Sequence, residues 1–327
     1  MLNVSLVIPL YNEAESLPEL HAWIVRVCKQ ENLTYEILML DDGSNDGSWD
    51  IIKNLKHQDS NVRGFRFRTN YGKSAALNVG FAQAQGEVVI TMDADLQDSP
   101  DEIPGLIQMI KNEGYDVVSG WKKKRYDPLS KTIPTKLFNW ATRKISDLEL
   151  HDFNCGLKAY RHEVVKNIEV YGEMHRYLAV LLQHAGARCA EVRTNHRPRV
   201  SGRTKYGLDR TMRVLLDLLV VKYRLQWFNS PMRLFGSFGA ASLLLSFAAA
   251  FGTVFMKLRG TDMTGNPLLL LTVMAAFAAL QLFSLGILGE VCARVYFHAS
   301  RRTGYVVAEQ LNSSDEDSGS LPMRRAG

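Results

Sequence analysis

The sequence has few cysteines and lacks the motifs of several common enzyme classes. Its four cysteines are spread over 327 residues without a C-x-x-C pair, which favours reduced thiols in a cytosolic setting. No G-x-G-x-x-G follows the first predicted strand and no G-x-x-x-x-G-K-[ST] occurs, which argues against a dinucleotide-dependent dehydrogenase and a P-loop NTPase. The first residues lack a basic segment followed by an apolar stretch, so no signal peptide is expected.

The composition excludes two further classes. Hydrophobic residues make up 46% of the chain and charged residues 22%, which rules out a wholly disordered protein and a polytopic transporter. The formal net charge of +5 is mild and gives no general signal for nucleic acid.

Two long uncharged runs stand out near the C-terminus. Leu234–Met256 has 23 residues and Leu268–Gly289 has 22, and each can cross a hydrocarbon core of about 30 Å as a helix. A pair of buried core helices is the alternative, but neither run offers a polar face. The runs predict a two-helix transmembrane hairpin.

The flanking charges predict the orientation of this hairpin. Basic residues precede the first span and follow the second, whereas the connecting loop has only Lys257 and Arg259, partly offset by Asp262. The positive-inside bias then places both termini in the cytoplasm. We expect a multi-pass protein of the cell inner membrane with a large cytoplasmic N-terminal part and a partly disordered C-terminal tail.

The first 225 residues or so alternate strand-like and helix-like patterns, which predicts an α/β domain with a mostly parallel sheet. The predicted strands are Val4–Pro9, Glu36–Leu40, Val62–Arg68, Glu87–Met92 and Asp116–Gly120. The predicted helices are Leu17–Cys28, Ser48–Leu55, Ser74–Ala84 and Glu102–Asn112. Ligands of such sheets bind beyond the carboxyl ends of the strands.

Acidic residues follow two of these strands. Asp93 and Asp95 come directly after a buried strand, and two carboxylates spaced by one residue can face one cation. A site with only oxygen ligands suits Mg²⁺ or Mn²⁺, and these ions are commonly also coordinated by the phosphates of the substrate. A second cluster runs from Asp41 to Gly47, where the acids can cap the next helix, bind a ligand, or do both.

Three segments resemble the family 2 nucleotide-sugar glycosyltransferases. They are Val4–Glu13 (VSLVIPLYNE), Asp41–Gly47 (DDGSNDG) and Met92–Asp98 (MDADLQD). The closest similarity is to polyisoprenyl-phosphate glycosyltransferases such as dolichol-phosphate mannosyltransferase and the bacterial bactoprenol glucosyltransferases. The resemblance covers nearly the whole chain and implies a GT-A fold.

The resemblance also implies roles for individual residues. Positions that line the base and ribose of the donor match Pro9, Tyr11, Glu13 and Asp42. The metal–diphosphate site matches Asp93, Ala94, Asp95 and Gln97. Asp152 lies in a segment near the sugar, where some relatives have an Asp in place of Cys155. Trp121 stands where mannosyltransferases often have Arg, which argues mildly against GDP-mannose.

A basic segment precedes the first span. Between Arg193 and Arg233 there are ten Lys or Arg against two Asp, and residues 208–228 have the apolar and basic faces of an interfacial helix. Arg199 and Lys205 match the family's acceptor loop, R-x-x-G-x-[ST]-K, and can bind a phosphate. Arg176 matches a position near the donor phosphates or acceptor, although it can equally be a surface residue. Aromatic residues are sparse here, so no nucleic-acid partner is expected.

We therefore predict an inverting, metal-dependent hexosyltransferase of the cell envelope. It would move a sugar from a nucleotide-diphospho-sugar, with UDP-glucose or another UDP-sugar favoured, to a polyisoprenyl phosphate such as undecaprenyl phosphate. The residues assigned to catalysis are Asp95, Asp152, Arg199 and Lys205. Membrane lipid is a further partner, and a homo-oligomer and a downstream flippase are left open.

Three alternatives compete with this prediction. They are a GDP-mannose-dependent mannosyltransferase, a membrane-bound polysaccharide synthase, and a non-catalytic membrane-anchored protein that binds nucleotide sugars. A synthase needs a Q-x-x-R-W segment, which Gln226-Trp227-Phe228-Asn229-Ser230 does not match.

The predicted parts are residues 1–207 (catalytic domain), 208–233 (juxtamembrane amphipathic helix), 234–290 (spans 234–256 and 268–289) and 291–327 (tail).

Overall fold

The computed structural model describes three stretches of the chain. They are residues 2–122, 138–197 without 145, 147, 167, 171 and 196, and 220–300 without 221, 224, 225, 229 and 263. Arg199, Lys205 and most of the predicted interfacial helix lie outside the described residues, as does the tail after residue 300.

A central sheet organises the N-terminal part of the chain. Its described strands are β1 (Val4–Leu10), β2 (Tyr35–Asp41), β3 (Val62–Arg66), β4 (Val88–Thr91), β5 (Val117–Trp121), β6 (Lys158–Arg161) and β7 (Cys189–Arg193). They lie in the order β3-β2-β1-β4-β6-β5-β7, and only β6 runs antiparallel to its neighbours. The predicted mostly parallel sheet is confirmed.

Helices cover both faces of this sheet. They are α1 (Leu17–Gln30), α2 (Ser48–Gln58), α3 (Lys73–Gln83), α4 (Ile103–Lys111), α5 (His162–Lys166) and α6 (Leu178–His184). Side chains alternate along β1, so Leu6 and Ile8 pack in one core and Val7 in the other. Each predicted strand and helix of residues 4–121 is present with ends that agree within three residues.

The register of the strands brings their carboxyl ends together. In β1, Leu10 pairs with Asp41 of β2, and Val7 pairs with Thr91 of β4. The segments that follow β1, β2 and β4 therefore emerge side by side at one edge of the sheet.

Two long apolar helices follow, α7 (Pro231–Leu258) and α8 (Pro267–Ser300). They pack against each other, with Ser242 Oγ donating to the carbonyl of Ala275 at 2.9 Å and Ser246 Oγ to that of Thr272 at 2.8 Å. Only 17% and 11% of the most apolar part of each helix is buried, whereas the core helices of a soluble domain are mostly buried. Helices of this length with exposed apolar side chains indicate membrane association, as the sequence predicted.

Candidate active site

The loops after β1 and β2 are bonded to each other. The backbone N–H of Asn12 donates to Ser44 Oγ at 2.9 Å, and the N–H of Asn45 donates to Asn12 Oδ1 at 2.9 Å. Asn12 has a φ of 55°, a left-handed conformation that asparagine tolerates better than most residues. Pro9, Tyr11 and Glu13, assigned to the base and ribose, are all half-buried at this edge.

Two acids of the Asp41–Gly47 segment, Asp41 and Asp46, bind the backbone of that same segment and of the helix after it. Asp41 Oδ1 accepts from the N–H of Ser44 at 2.9 Å, and Asp46 Oδ1 accepts from the N–H of Ser48 at the start of α2 at 3.0 Å. These two carboxylates shape the loop itself. The N-cap position of α2 is Gly47, not an aspartate, so the Asp cap predicted for the Ser48 helix is wrong at that position. Asp46, one residue earlier, binds the first N–H of the helix instead.

Asp42 faces the segment between β3 and α3. Its two carboxylate oxygens accept from the N–H groups of Tyr71 at 2.7 Å and Gly72 at 2.9 Å. Burial raises the pKa of Asp42, and the two N–H donors oppose this shift. Asp42 therefore fixes the 71–72 backbone at the rim where the resemblance places the nucleoside.

Asp93 lies at the end of β4 between two lysines. Lys73, the first residue of α3, forms an ion pair with Asp93 Oδ1, and the Asp93 side chain is 34% exposed. Burial would raise the pKa of Asp93, but Lys73 and then Lys122 lower it to about 2. The carboxylate is therefore ionised at neutral pH, as a metal ligand must be.

Lys122 follows β5 and is itself paired. Its Nζ lies 2.6 Å from Asp98 Oδ1, and Asp98 is buried. Burial disfavours the charged form, yet Asp98 raises the pKa of Lys122 above its ordinary value. The last acid of the Met92–Asp98 segment thus holds a cation beside Asp93.

Asp95 and Gln97 flank a residue in an uncommon backbone conformation. Leu96 has a φ of 59°, and Asp95 Oδ1 accepts from the N–H of Gln97 at 3.2 Å. Ala94 is buried in the core, whereas Asp93 and Asp95 are partly exposed on either side of it. Asp93 and Asp95 are therefore both accessible after the end of β4. That the two carboxylates face one cation stays a prediction.

The segment after residue 150 closes the site from the other side. Gly156 lies so close to Asp93 that a Cβ on it would stand 2.4 Å from Asp93 Oδ2. Asp152 is buried, and its Oδ1 accepts from the N–H of Asn154 at 3.1 Å. Asp152 therefore helps to shape the turn that carries Gly156.

A buried lysine supports this turn. Lys158 is 3% exposed, and its Nζ donates to the carbonyl of Phe153 at 3.1 Å and to that of Cys155. Burial lowers the pKa of Lys158. Cys155 is also buried, and its burial raises the pKa of its thiol to about 12.

Arg176 and its neighbour His175 reach the same place. Arg176 is bonded to Glu173 at 3.1 Å, and His175 Nδ1 lies 3.1 Å from Ser74 Oγ, next to Lys73. A small cavity is lined by residues from four segments, among them Lys73, Asn154, Gly156, Lys158, His175 and Arg176. Arg176 therefore shares a cavity with Lys73, the partner of Asp93.

Sequence reasoning missed Lys73, Lys122 and Lys158. Lys73 had a usable signal, because it lies between a predicted strand, Val62–Arg68, and a predicted helix, Ser74–Ala84. The structure begins that helix at Lys73 itself, at the same edge as the acids. Lys122 and Lys158 had none, since a lone lysine reveals neither its burial nor its partner.

The carboxylate oxygens of Asp93 and Asp95 are the type of ligand that a divalent cation prefers. The described residues hold no convergent group of three or more His, Cys, Asp or Glu. The chain would thus supply the two carboxylates of Asp93 and Asp95 and leave the other positions to phosphate and water. Mg²⁺ is commonly bound in this way.

The sheet, with its loops gathered at the carboxyl ends of the strands, defines a protein with a GT-A-like fold. The profile of glycosyl transferase family 2 matches residues 5–169. Dodecaprenyl-phosphate galacturonate synthase of Rhizobium johnstonii is 31% identical over 323 residues, with 96% of this chain and 95% of that protein covered. The chain belongs to glycosyl transferase family 2.

Two further proteins are similar. Undecaprenyl-phosphate 4-deoxy-4-formamido-L-arabinose transferase of Pseudomonas fluorescens is 34% identical, with 95% of this chain and 90% of that protein covered. Glucosyl-3-phosphoglycerate synthase of Mycobacterium tuberculosis, solved with Mn²⁺ and UDP-glucose, superposes with a TM-score of 0.52 at 18% identity, with 68% of this chain and 79% of that chain covered. The first likeness includes the apolar helices, and the second supports the fold.

Proposed function

We propose that this protein transfers a sugar, with inversion, from a UDP-sugar to a polyisoprenyl phosphate at the cytoplasmic face of the membrane. One observation carries the proposal. The acid rim and the two apolar helices stand in one chain, and that chain matches polyprenyl-phosphate sugar transferases over 95–96% of its length.

The donor side of the reaction uses the rim at the carboxyl ends of the strands. Asp93 and Asp95 would hold Mg²⁺ or Mn²⁺, and Mn²⁺ accompanies UDP-glucose in the structural neighbour. When bound, the cation supplies Lewis-acid stabilisation of the departing nucleoside diphosphate. Lys73, paired with Asp93 at the N-terminus of α3, is placed to share the charge of the diphosphate.

The acceptor side depends on the membrane. The polyisoprenyl chain would lie in the bilayer beside α7 and α8, and its phosphate would be held by Arg199 and Lys205. Confinement of the acceptor to the surface raises its effective concentration at the site. Lys222, which precedes α7, and Arg233, in the first turn of α7, agree with a cytoplasmic catalytic domain.

The chemistry needs little proton transfer. A phosphate monoester with a second pKa of about 6 is largely dianionic at pH 7, so its oxygen can attack the anomeric carbon without a strong general base. A single in-line displacement inverts that carbon. Asp152 orients its own turn through Asn154, which supports a role in positioning the sugar.

The choice of donor can be decided by a panel of sugars. The relatives are named for galacturonate and 4-deoxy-4-formamido-L-arabinose. The panel should therefore contain the UDP derivatives of both sugars, UDP-glucose and GDP-mannose.

The test is to incubate membranes that contain the protein with each labelled donor and undecaprenyl phosphate. We expect label in the organic extract with a UDP-sugar, and none with an Asp95→Asn variant that is inserted equally well. Label in aqueous polymer would instead indicate a polysaccharide synthase. Donor binding without any transfer would indicate a non-catalytic protein, and lipid labelled only from GDP-mannose would replace the donor assignment.

A further inference from the structure

The outer surface of α8 carries one amide among apolar side chains. Gln281 is exposed, as are Leu280 and Leu285 beside it. Along the helix, Gln281 lies about 21 Å from Pro267, where α8 begins, and about 13 Å from Glu290, the first charged residue of α8. In a bilayer with a hydrocarbon core of about 30 Å, these distances place the amide within the hydrocarbon.

The hairpin itself offers no partner on this side of α8. Ala279 is buried, and Gly286 lies so near α7 that a Cβ on it would stand 2.7 Å from Met232 Sδ. These two residues mark the side of α8 that packs on α7. Gln281 follows Ala279 by two residues, which rotates it about 200° around the helix. Its amide therefore leaves α8 on the side away from α7, where an amide without a hydrogen bond is costly in lipid.

The exposed residues around Gln281 repeat with the spacing of a helix–helix interface. Met274 precedes Gln281 by seven residues, and steps of four, three and four residues lead on to Leu285, Leu288 and Cys292. All five side chains are exposed. Alternation of three and four residues is the pattern by which two helices pack side by side with interlocking side chains. We call these five residues the α8 seam.

We propose that the α8 seam packs against the α8 seam of a second copy of this chain. All copies insert in the membrane with the same orientation, so two α8 helices that meet through identical faces run parallel, around a two-fold axis normal to the membrane. A residue near that axis meets the same residue of the other copy. An amide suits this position, because it both donates and accepts. The two Gln281 side chains can then bond each other.

The amide favours a second copy over other occupants of this surface. A lipid tail is apolar and offers Gln281 no hydrogen bond. A helix of another protein would need a polar group of its own at the same depth, whereas a second copy supplies one at that depth without further conditions. A single polar residue in an otherwise apolar seam also fixes the register of the two helices. The interface is independent of which sugar the protein transfers.

Cys292 allows the seam to be tested in the native chain. It is exposed, whereas Cys28 and Cys155 are buried. Membranes that contain the full-length protein would be oxidised with copper–phenanthroline and analysed on a non-reducing gel. Because a disulfide needs Cα atoms within about 7 Å, we expect a covalent dimer with the wild type and none with Cys292→Ser.

Two adjacent positions provide a control that is matched in depth and exposure. Ile287 and Leu288 are each 59% exposed, but only Leu288 belongs to the α8 seam, and Ile287 is turned about 100° from it. In the Cys292→Ser background, Leu288→Cys should form the covalent dimer and Ile287→Cys should not.

The contribution of the amide is measured separately. Gln281→Leu keeps a side chain of similar size and removes its hydrogen bonds. We expect the dissociation constant of the dimer to rise about tenfold, or about 1.4 kcal/mol, when energy transfer between labelled copies is followed at increasing lipid-to-protein ratios. Ser237→Ala should leave it unchanged, because the Ser237 hydroxyl of α7 donates within its own helix, to the carbonyl of Leu234 at 2.8 Å.

Three results would overturn the proposal. One is the absence of a Cys292 disulfide in the wild type, and another is equal cross-linking of Ile287→Cys and Leu288→Cys, which random collision explains. The third is a Gln281→Leu variant that associates as tightly as the wild type. None of these measurements uses sugar transfer, so they decide the interface even if the proposed function fails.

Discussion

Gly156→Ala should remove activity and leave the fold intact. A Cβ at this position would stand 2.4 Å from Oδ2 and 2.6 Å from Cγ of Asp93, closer than real Cβ atoms approach any heavy atom. The backbone of Gly156 cannot easily retreat, because its carbonyl accepts from Thr91 Oγ1 at 2.9 Å and Lys158 holds the preceding carbonyl. The Asp93 carboxylate must therefore move.

The size of the effect follows from this displacement. An ordinary van der Waals contact between the new Cβ and Asp93 Oδ2 needs a distance about 1 Å longer than the structure allows. A displacement of about 1 Å of a group in an active site can lower the rate about 100-fold. The carboxylate is the end of a short, partly exposed side chain, so its movement should cost little stability. We expect kcat to fall about 100-fold while the melting temperature stays within a few degrees of the wild type.

Gly105→Ala is the matched control. Gly105 lies within α4, and a Cβ there meets nothing within 4 Å. Alanine should stabilise the helix by about 0.5–1 kcal/mol without altering transfer. Both variants would be assayed by lipid-linked product and thermal unfolding in the same membranes. Wild-type kcat in Gly156→Ala would refute the role assigned to the Asp93 carboxylate.

Three further predictions follow from the site. Asp95→Asn should abolish transfer without affecting membrane insertion, and a variant still fully active in chelator would contradict the metal role. Chelation of the wild-type enzyme should stop transfer, and added Mg²⁺ or Mn²⁺ should restore it; activity that persists after exhaustive chelation would refute metal dependence. The pKa of Cys155, about 12, leaves about 1 in 10,000 of its thiol ionised at pH 8, so mass spectrometry should find it unmodified by iodoacetamide in the native protein. Rapid labelling of Cys155 would show that the turn opens.

The sheet and its rim could be predicted because their signals are local. Apolar runs such as those of β1 and β4 end directly at acidic residues, and parallel strands bring those ends to one edge. The apolar hairpin is equally local, since its length and lack of charge are properties of the sequence alone. The positions of Asp93 and Asp95 at the rim were therefore accessible without coordinates.

Lys122 and Lys158 could not be predicted, because their roles depend on tertiary contacts. Lys158 begins β6, a strand of four residues that runs against its neighbours and was not predicted. Its burial depends on the carbonyls of Phe153 and Cys155, which no spacing rule reveals. For Trp121 the sequence indicates only a difference from the mannosyltransferases. It does not reveal that the Trp121 ring stacks on the His151 ring, with 4.1 Å between the ring centres.

The position of the donor's diphosphate tests the central claim most directly. A crystal structure of the protein with Mn²⁺ and a non-hydrolysable UDP-sugar would locate the metal by its anomalous signal. We predict the metal bound to the carboxylates of Asp93 and Asp95, with the diphosphate on its far side and next to Lys73. A diphosphate bound elsewhere, with no metal between these two carboxylates, would contradict the account.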